Sequence, residues 1–475
     1  FGSSFSVCGW RGPDMNGEAA AGRATMSTAA TARVLLPQLT SATFRHGGGQ
    51  LADRTSRHRA IGGLPGRRPR AEVFAAAGAA GVACAATRGG ARSKASKGAR
   101  RAPPAAPATP SVPTPAASQG PRRGLHRAGT MLSKGSLEVA EGLSLGYQEH
   151  GNKDGVPAVF LHGGPGAGAS QRMSQLFDLD LYRVILFDQR GCDSSKWPGG
   201  SAEQLQDNTT WHLVEDLEAI RVHFGIDRWV VGGGSWGTCL ALAYASRHAD
   251  RVLGMALRAA CLFRDEEFDF FLGPGPGART ANPEAWKKLM DWLPWVSDAT
   301  PPRELAAAFR DAVLGLDASL SPKEAVSRWS QWEGRLMSTR APWPDPRPPP
   351  GSQKQGEAEE SVARPPVQPP AKPWPAADGR VATQMLLTMH YVAEGGFFPP
   401  GFSLLDAAAE FRFPLEVIHG RHDCVCPARN AVDLTAVVPD SQLHLTDGGH
   451  SQWDPANVDA FVRATDRLAL SATGA

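Results

Sequence analysis

Apolar residues along this chain follow two rhythms that change places at defined points. In residues 136–151, "SLEVAEGLSLGYQEHG", apolar and polar positions alternate about a central glycine, which predicts a β-hairpin. Short continuous apolar runs follow in "PAVFLHGG", "YRVILFDQRG", "RWVVGG" and "RVLGMALRA". Each has the length of a strand buried on both faces. Between them lie stretches of helical spacing. "NTTWHLVEDLEAIRVHFGI" sets Leu213, Leu217, Ile220 and Phe224 on one stripe behind threonines suited to capping, and "SWGTCLALAYASRHA" follows the third run. Strands alternating with helices in this way predict an α/β fold with a mostly parallel sheet covered on both sides.

The grammar changes after Arg264. Residues 265–337 read as tryptophan-rich helices, among them "NPEAWKKLMDWLPW" and "SPKEAVSRWSQWEGRLM". Twelve prolines between Pro342 and Pro375 exclude regular secondary structure there. A helix is expected in "VATQMLLTMHYVAEGG", and strand–loop–helix order returns with "PLEVIHGRHDCVCP" and "SQLHLTDGGHS". The expected organisation is therefore a core in two halves, 131–264 and 406–475. Between them lies a helical cap over 265–405, which carries a Pro-rich disordered insertion near 341–378.

Composition adds an unlike first quarter. Residues 1–130 carry 19 Lys and Arg against 4 Asp and Glu, and few large apolar side chains. Such a stretch cannot bury enough surface to offset backbone ordering and is expected to be a disordered basic extension, with structured sequence beginning near Gly135. "MSTAATARVLLPQLTSATFR", from Met26, is hydroxyl-rich, Arg-bearing and free of acids, as in a transit peptide for a plastid or other organelle. The chain begins with Phe1, and Met15, Met26 and Met131 are alternative starts; if the extension is an artefact of the reading frame, a cytoplasmic protein is expected. No aromatic or motif context supports nucleic-acid binding. No run of 18 apolar residues suggests a membrane span. The seven cysteines are scattered, and Cys424 and Cys426 have no second pair with which to bind zinc, so neither a metal site nor a disulfide framework is expected.

The chemistry centres on Gly233-Gly234-Ser235-Trp236-Gly237, a G-x-S-x-G sequence between an apolar strand and a helix. In that context Ser235 is expected on a strained turn at a helix N-terminus, exposed as a nucleophile. A serine nucleophile needs a base, and the base an orienting acid. Asp423 follows the strand "LEVIHG" and His450 follows "QLHLT", both at strand ends and in the order serine, acid, base. His419, His422 and His444 are rival bases and Asp447 a rival acid. For the oxyanion, Trp236 and Gly164 are expected to offer backbone N–H groups, Gly164 from the glycine-rich loop "HGGPGAG" after a strand. Gly163 of the same loop is placed beside the substrate. Neither G-K-[ST] nor G-x-G-x-x-G spacing is present to hold phosphate.

"HGGPGAG", "DQRGCDSS", "NTTWHLVEDLEAIR", "GGSWGT", "WEG", "HGRHDCVCP" and "GGHS" occur in the order and spacing of the proline iminopeptidases, which the chain resembles from about Gly135 to Arg467 outside the Pro-rich insertion. The resemblance implies an α/β-hydrolase fold and a serine exopeptidase, free of metal or organic cofactor, that releases N-terminal proline from peptides with a free N-terminus. It carries the nucleophile, acid and base onto Ser235, Asp423 and His450, and implies that Glu333, in the "WE" pair, binds the substrate ammonium. Thr388 stands where the family has a second carboxylate, with Glu394 the nearby alternative, and Asp193 and Ser194 stand where Gly and Arg are usual. Thr388 keeps open an esterase or amidase without amine selectivity, and a non-catalytic hydrolase-fold binding protein is the third possibility.

Overall fold

The computed structural model describes residues 120–195, 202–293, 295–297, 299–317, 319–340 and 379–474. Residues 1–119, most of the basic extension, and the Pro-rich stretch 341–378 lie outside the described residues. The remainder of the extension, 120–130, is engaged with the core. The Arg123 amide donates to Asp459 Oδ1 at 2.7 Å, and the Arg123 and His126 side chains pair with Asp466. The first strand likewise starts at Met131, upstream of the expected Gly135. The composition of this stretch hides its order because its partners lie more than 300 residues away.

Strands β1 (Met131–Ala140), β2 (Leu143–Gly151), β3 (Val156–Leu161), β4 (Tyr182–Phe187), β5 (Trp229–Gly234), β6 (Val252–Arg258), β7 (Leu415–Gly420) and β8 (Ser441–Thr446) form one sheet, in the order β1-β2-β4-β3-β5-β6-β7-β8. The predicted hairpin supplies β1 and β2, antiparallel to each other, and β2 is antiparallel to β4; from β4 to β8 the sheet is parallel. Successive residues of a strand face opposite sides. Val159 and Val231 enter one apolar cluster with Leu213 and Leu217 of α1 (Thr210–His223) and Leu240 of α2 (Trp236–His248). Ala158, Phe160 and Val230 enter the other, with Phe177 and the C-terminal helix residues Phe461 and Leu468. Burial on both sides is why these strands read as unbroken apolar runs.

The chain leaves β3 for β4 on one side and returns to β5 on the other, so the strand order reverses between β3 and β5. A crevice opens outside the C-terminal ends of strands at such a switch point. The helical segment between β6 and β7 stands over it: α3 (Asp265–Leu272), α4 (Ala278–Ala281), α5 (Pro283–Met290), α6 (Pro302–Val313), α7 (Pro322–Ser338), α8 (Arg380–Ala393) and α9 (Leu404–Ala408). Its tryptophans form its own core. Trp332 meets Trp286 edge-on at 5.4 Å between ring centres, and Trp329 lies 5.8 Å from Phe309. Beyond β7, α10 (Arg429–Val437) and α11 (Pro455–Thr473) complete the two covering layers.

Candidate active site

Ser235 sits between β5 and α2 with φ 55° and ψ −124°, a conformation L-residues rarely adopt. Its amide donates to the Arg258 carbonyl at 2.9 Å, fixing the turn to β6. The flanking glycines are required by close approach. A Cβ on Gly237 would lie 2.1 Å from the Leu161 carbonyl oxygen, and one on Gly233 2.6 Å from the Gly237 carbonyl oxygen. Helix α2 can therefore start directly over the β3–β5 crevice, and the serine hydroxyl is presented at its N-terminus.

His450 and Asp423 meet Ser235 from the loops after β8 and β7. His450 Nδ1 lies 2.7 and 2.9 Å from the two Asp423 oxygens, and its Nε2 lies 3.2 Å from Ser235 Oγ. A carboxylate only accepts, so Nδ1 carries the proton and Nε2 is free to accept from the serine hydroxyl. Asp423 Oδ1 also accepts from the amides of Val425 and Cys426, both at 2.8 Å. Burial alone would raise this carboxyl, but His450, His419 and the amide donors together hold it below the usual carboxylate range.

The rival residues have other partners. His419 is fully buried; its Nδ1 accepts from the Ala260 amide at 3.1 Å, leaving Nε2–H for the Cys426 carbonyl at 3.1 Å, and burial lowers its pKa. It braces the far side of Asp423, 3.5 Å from Oδ2. His444 pairs with Glu416, while His422 meets the exposed Asp447, which also binds Arg421.

Gly163, Gly164 and Trp236 line the same cavity as Ser235. The loop lies against the serine: a Cβ on Gly163 would be 3.3 Å from Ser235 Cβ and 3.0 Å from the Gly234 carbonyl oxygen. Gly164 has φ 113°. As the first residue of α2, Trp236 has no intrahelical acceptor for its N–H.

A bracing layer escaped the sequence reading. The Gln189 amide donates to His162 Nε2 at 3.0 Å, its side-chain nitrogen donates to the His162 carbonyl at 2.9 Å, and its side-chain oxygen accepts from Trp236 Nε1 at 2.9 Å. Asp188 accepts from the Ala169 amide at 2.7 Å. Both lie in "DQRG", which drew notice in the sequence only as part of a resemblance, and they tie the glycine-rich loop to the helix that carries Ser235.

The cavity, of about 250 Å³, runs from Ser235 and His450 to the helical segment above. Its walls are mostly apolar, with Phe263, Phe268, Phe271 and Val392 among them, and its far end carries Glu333, Gln384 and Thr388. Burial pushes the Glu333 carboxyl up, and a bond from Gln384 opposes this. The Thr388 hydroxyl donates to the Pro165 carbonyl at 3.2 Å. Glu394 does not replace the missing carboxylate, because it lies at the C-terminal end of α8 and pairs with Arg310 at 2.8 Å. Asp193 occupies left-handed backbone, φ 34°, and pairs with Arg380, which also donates to the Ala167 carbonyl of the glycine-rich loop.

Cys192 and Cys424 lie off the cavity, and Cys426 lines it. Burial pushes the Cys424 thiol up to about 12. His126, Asp178 and Asp466 form a group of metal-ligating type among the described residues, but Asp466 is already ion-paired to Arg123, and none of the three lines the cavity.

A family model for the alpha/beta hydrolase fold matches residues 157–454. A proline iminopeptidase of Xanthomonas citri is 36% identical over 343 residues, 72% of this chain and 97% of that protein. One from Neisseria gonorrhoeae is 33% identical, covering 70% of this chain and 95% of its own length. This chain belongs to the proline iminopeptidase family. A plant member, from Arabidopsis thaliana, is 33% identical across 71% of this chain and 80% of its own. The solved proline iminopeptidase of Mycobacterium smegmatis aligns over 72% of this chain and 99% of its own, at 18% identity and a TM-score of 0.43. Of the positions that depart from the family pattern, Thr388 lines the cavity, while Asp193 lies off it and pairs with Arg380.

Proposed function

We propose that this protein is a serine exopeptidase that removes an N-terminal proline, or another small N-terminal residue, from peptides. One observation carries the reading. A single cavity joins the Ser235–His450–Asp423 line to a half-buried carboxylate, Glu333, that has no cationic partner among the described residues. Such a carboxylate is suited to pair with a substrate ammonium through charge-assisted hydrogen bonds. Its place in the same cavity as the nucleophile favours the first residue of a chain, which carries the ammonium, over an internal one.

Ser235 Oγ attacks the carbonyl of that residue while His450 Nε2 takes its proton, and Asp423 holds the imidazole and stabilises its charged form. The N–H groups of Trp236 and Gly164 receive the oxyanion. On collapse His450 gives the proton to the leaving amine. Water, deprotonated by the same imidazole, then hydrolyses the acyl-enzyme and frees the amino acid.

The test is turnover of a panel of aminoacyl 4-nitroanilides by the wild type and by Ser235→Ala. Prolyl substrate strongly preferred, with loss on N-acetylation and in the variant, is the expected result. Thr388, in place of a carboxylate, favours a second reading, an esterase or amidase indifferent to the amine. Equal turnover of acetylated substrates would establish that one instead.

No described helix is long and apolar enough to cross a membrane. The acid-free, Arg-bearing stretch from Met26 supports delivery to a plastid or another organelle. Imaging of a fluorescent fusion to residues 1–130 tests this, and diffuse cytoplasmic signal would refute it.

A further inference from the structure

Glu333 and Gln384 come from different helices, α7 and α8, and meet at the upper end of the cavity. Gln384 Nε2 lies 3.2 Å from each Glu333 oxygen, so one amide group spans the whole carboxylate. No ion pair reaches Glu333 among the described residues, and the Gln384 carbonyl oxygen has no donor there. Thr388, one turn along α8, gives its hydroxyl hydrogen to the Pro165 carbonyl. Its oxygen keeps its capacity to accept.

The consequence is a matter of counting donors. With the Gln384 nitrogen turned to Glu333 and the Thr388 hydrogen given to Pro165, three acceptors are left at this end of the cavity: a carboxylate, an amide oxygen and a hydroxyl oxygen. A cluster of acceptors complements a group that only donates, and an α-ammonium is such a group. Helix α8 is also held in register with the glycine-rich loop. A Cβ on Gly166 would lie 2.8 Å from Gln384 Cα, so the helix backbone rests directly on the loop.

We propose that Gln384 is a specificity-determining residue that aims Glu333 into the cavity and supplies a neutral second acceptor for the substrate's α-ammonium. This rests on the exopeptidase reading and names a residue that reading does not require. Glu333 carries the charge and Gln384 its direction. Thr388 leaves the second acceptor position neutral, so the site reads one positive charge with one negative charge.

Gln384→Met removes both polar atoms at similar length, and Gln384→Ser is the second variant should the first not fold. The experiment compares prolyl 4-nitroanilide, pyrrolidine as a competitive inhibitor, and 4-nitrophenyl acetate, which has no amine. The expected result is KM for the prolyl substrate and Ki for pyrrolidine both raised about tenfold, the scale of one hydrogen bond to a charged group. Prolyl kcat and acetate turnover should stay within about twofold, since Gln384 touches no reacting atom. In Glu333→Gln, adding Gln384→Met should produce little further loss, because the two act as a unit. Unchanged KM and Ki in a folded variant would overturn the proposal, as would an equal fall in prolyl and acetate turnover. Failure of the exopeptidase reading looks different: the wild type would then not hydrolyse prolyl 4-nitroanilide, or Ser235→Ala would retain that activity.

Discussion

The floor of the cavity and its roof handle charge in opposite ways. On the floor, Asp423 is fully buried yet receives His450 and two amides, and His419 braces its other side. Its charge is favoured, and its pKa lies below the usual range. On the roof, Glu333 has one neutral amide for company, and its pKa lies above the usual range. The same chemical group is therefore settled in one place and held at a cost in the other. The floor is built on strand ends of a single sheet, where neighbouring backbone supplies donors. The roof is assembled from helix faces whose backbone groups are already paired within each helix, so only side chains remain to answer a charge. A site prepared for chemistry is complete before substrate arrives, whereas a site prepared for recognition lacks the partner that the ligand brings.

The largest effect should come from the floor. Ser235→Ala is expected to lower kcat on prolyl 4-nitroanilide by at least about 10⁴-fold, the scale found when a serine nucleophile is removed. Binding of pyrrolidine, a roof function, should remain within about twofold of wild type if the two regions are separable in this way. Loss of pyrrolidine binding in this variant would break the comparison outright. A second blow to the floor is structural. Gly237→Ala sets a methyl 2.1 Å from a backbone oxygen of β3, with no flexible side chain to yield. Stability should fall by about 3 kcal/mol, the upper range for overpacking, read from denaturant midpoints.

The roof predicts a trade of opposite sign. Glu333→Gln should raise KM for free-amine substrates by about ten- to a hundredfold, since a charge-assisted pair is lost. The same change should stabilise the fold at neutral pH. A carboxyl whose folded pKa is raised above its unfolded value penalises the native state at pH above both, and the penalty disappears as both states become protonated. The variant should therefore melt at a higher temperature than the wild type at pH 7. The gain should shrink as pH falls through the raised folded value and be gone below about 4, the unfolded carboxylate range. Asp423 follows the converse rule: its lowered pKa contributes stability above the unfolded carboxylate value and withdraws it as pH falls through the folded one. A destabilised Glu333→Gln would mean that the carboxylate is settled after all, and the contrast between floor and roof would fail.

The same contrast explains what could be read from the sequence. Strands β3 to β6 announce themselves because burial on both faces writes a continuous apolar run. Ser235, Asp423 and His450 stand out because each follows a strand in a polar or glycine-rich turn. The glycines at 233 and 237 are set by backbone approach, which leaves a mark in the sequence. The roof leaves none. Gln384 is one polar residue on a helix, and only the packing of α8 against α7 turns it toward Glu333. Glu394 looks close to Thr388 in sequence, but six residues along a helix carry it past the cavity to Arg310. Gln189 presents the intermediate case: its motif was visible, and its role as the link between His162 and Trp236 needed coordinates. The order of segment 120–130 is hidden for the same reason as the roof, since Asp459 and Asp466 reach it only through the tertiary fold.

The smallest expected effect lies where floor and roof touch. Arg380, the first residue of α8, donates to the Ala167 carbonyl of the glycine-rich loop at 2.9 Å and lies 3.3 Å from Asp193. Together with Thr388, whose hydroxyl donates to the Pro165 carbonyl, it gives the roof a direct polar grip on the loop that carries Gly164. Both side chains are open to water, Arg380 54% exposed and Asp193 27%, so solvent and salt screen the pair. Exposed ion pairs contribute about 0–1 kcal/mol, which sets the ceiling for Arg380→Met at a few-fold in kcat, with about twofold expected. The glycine-rich loop has its own braces in Gln189 and Asp188, both buried, and these should hold it when Arg380 is gone. Wild-type kcat should then also be nearly insensitive to 0.5 M salt, a concentration that shortens electrostatic reach to a few ångströms. A tenfold fall in Arg380→Met, reproduced by salt in the wild type, would show the opposite arrangement: the roof would be setting the oxyanion loop through one surface pair, and recognition and chemistry would no longer be separate.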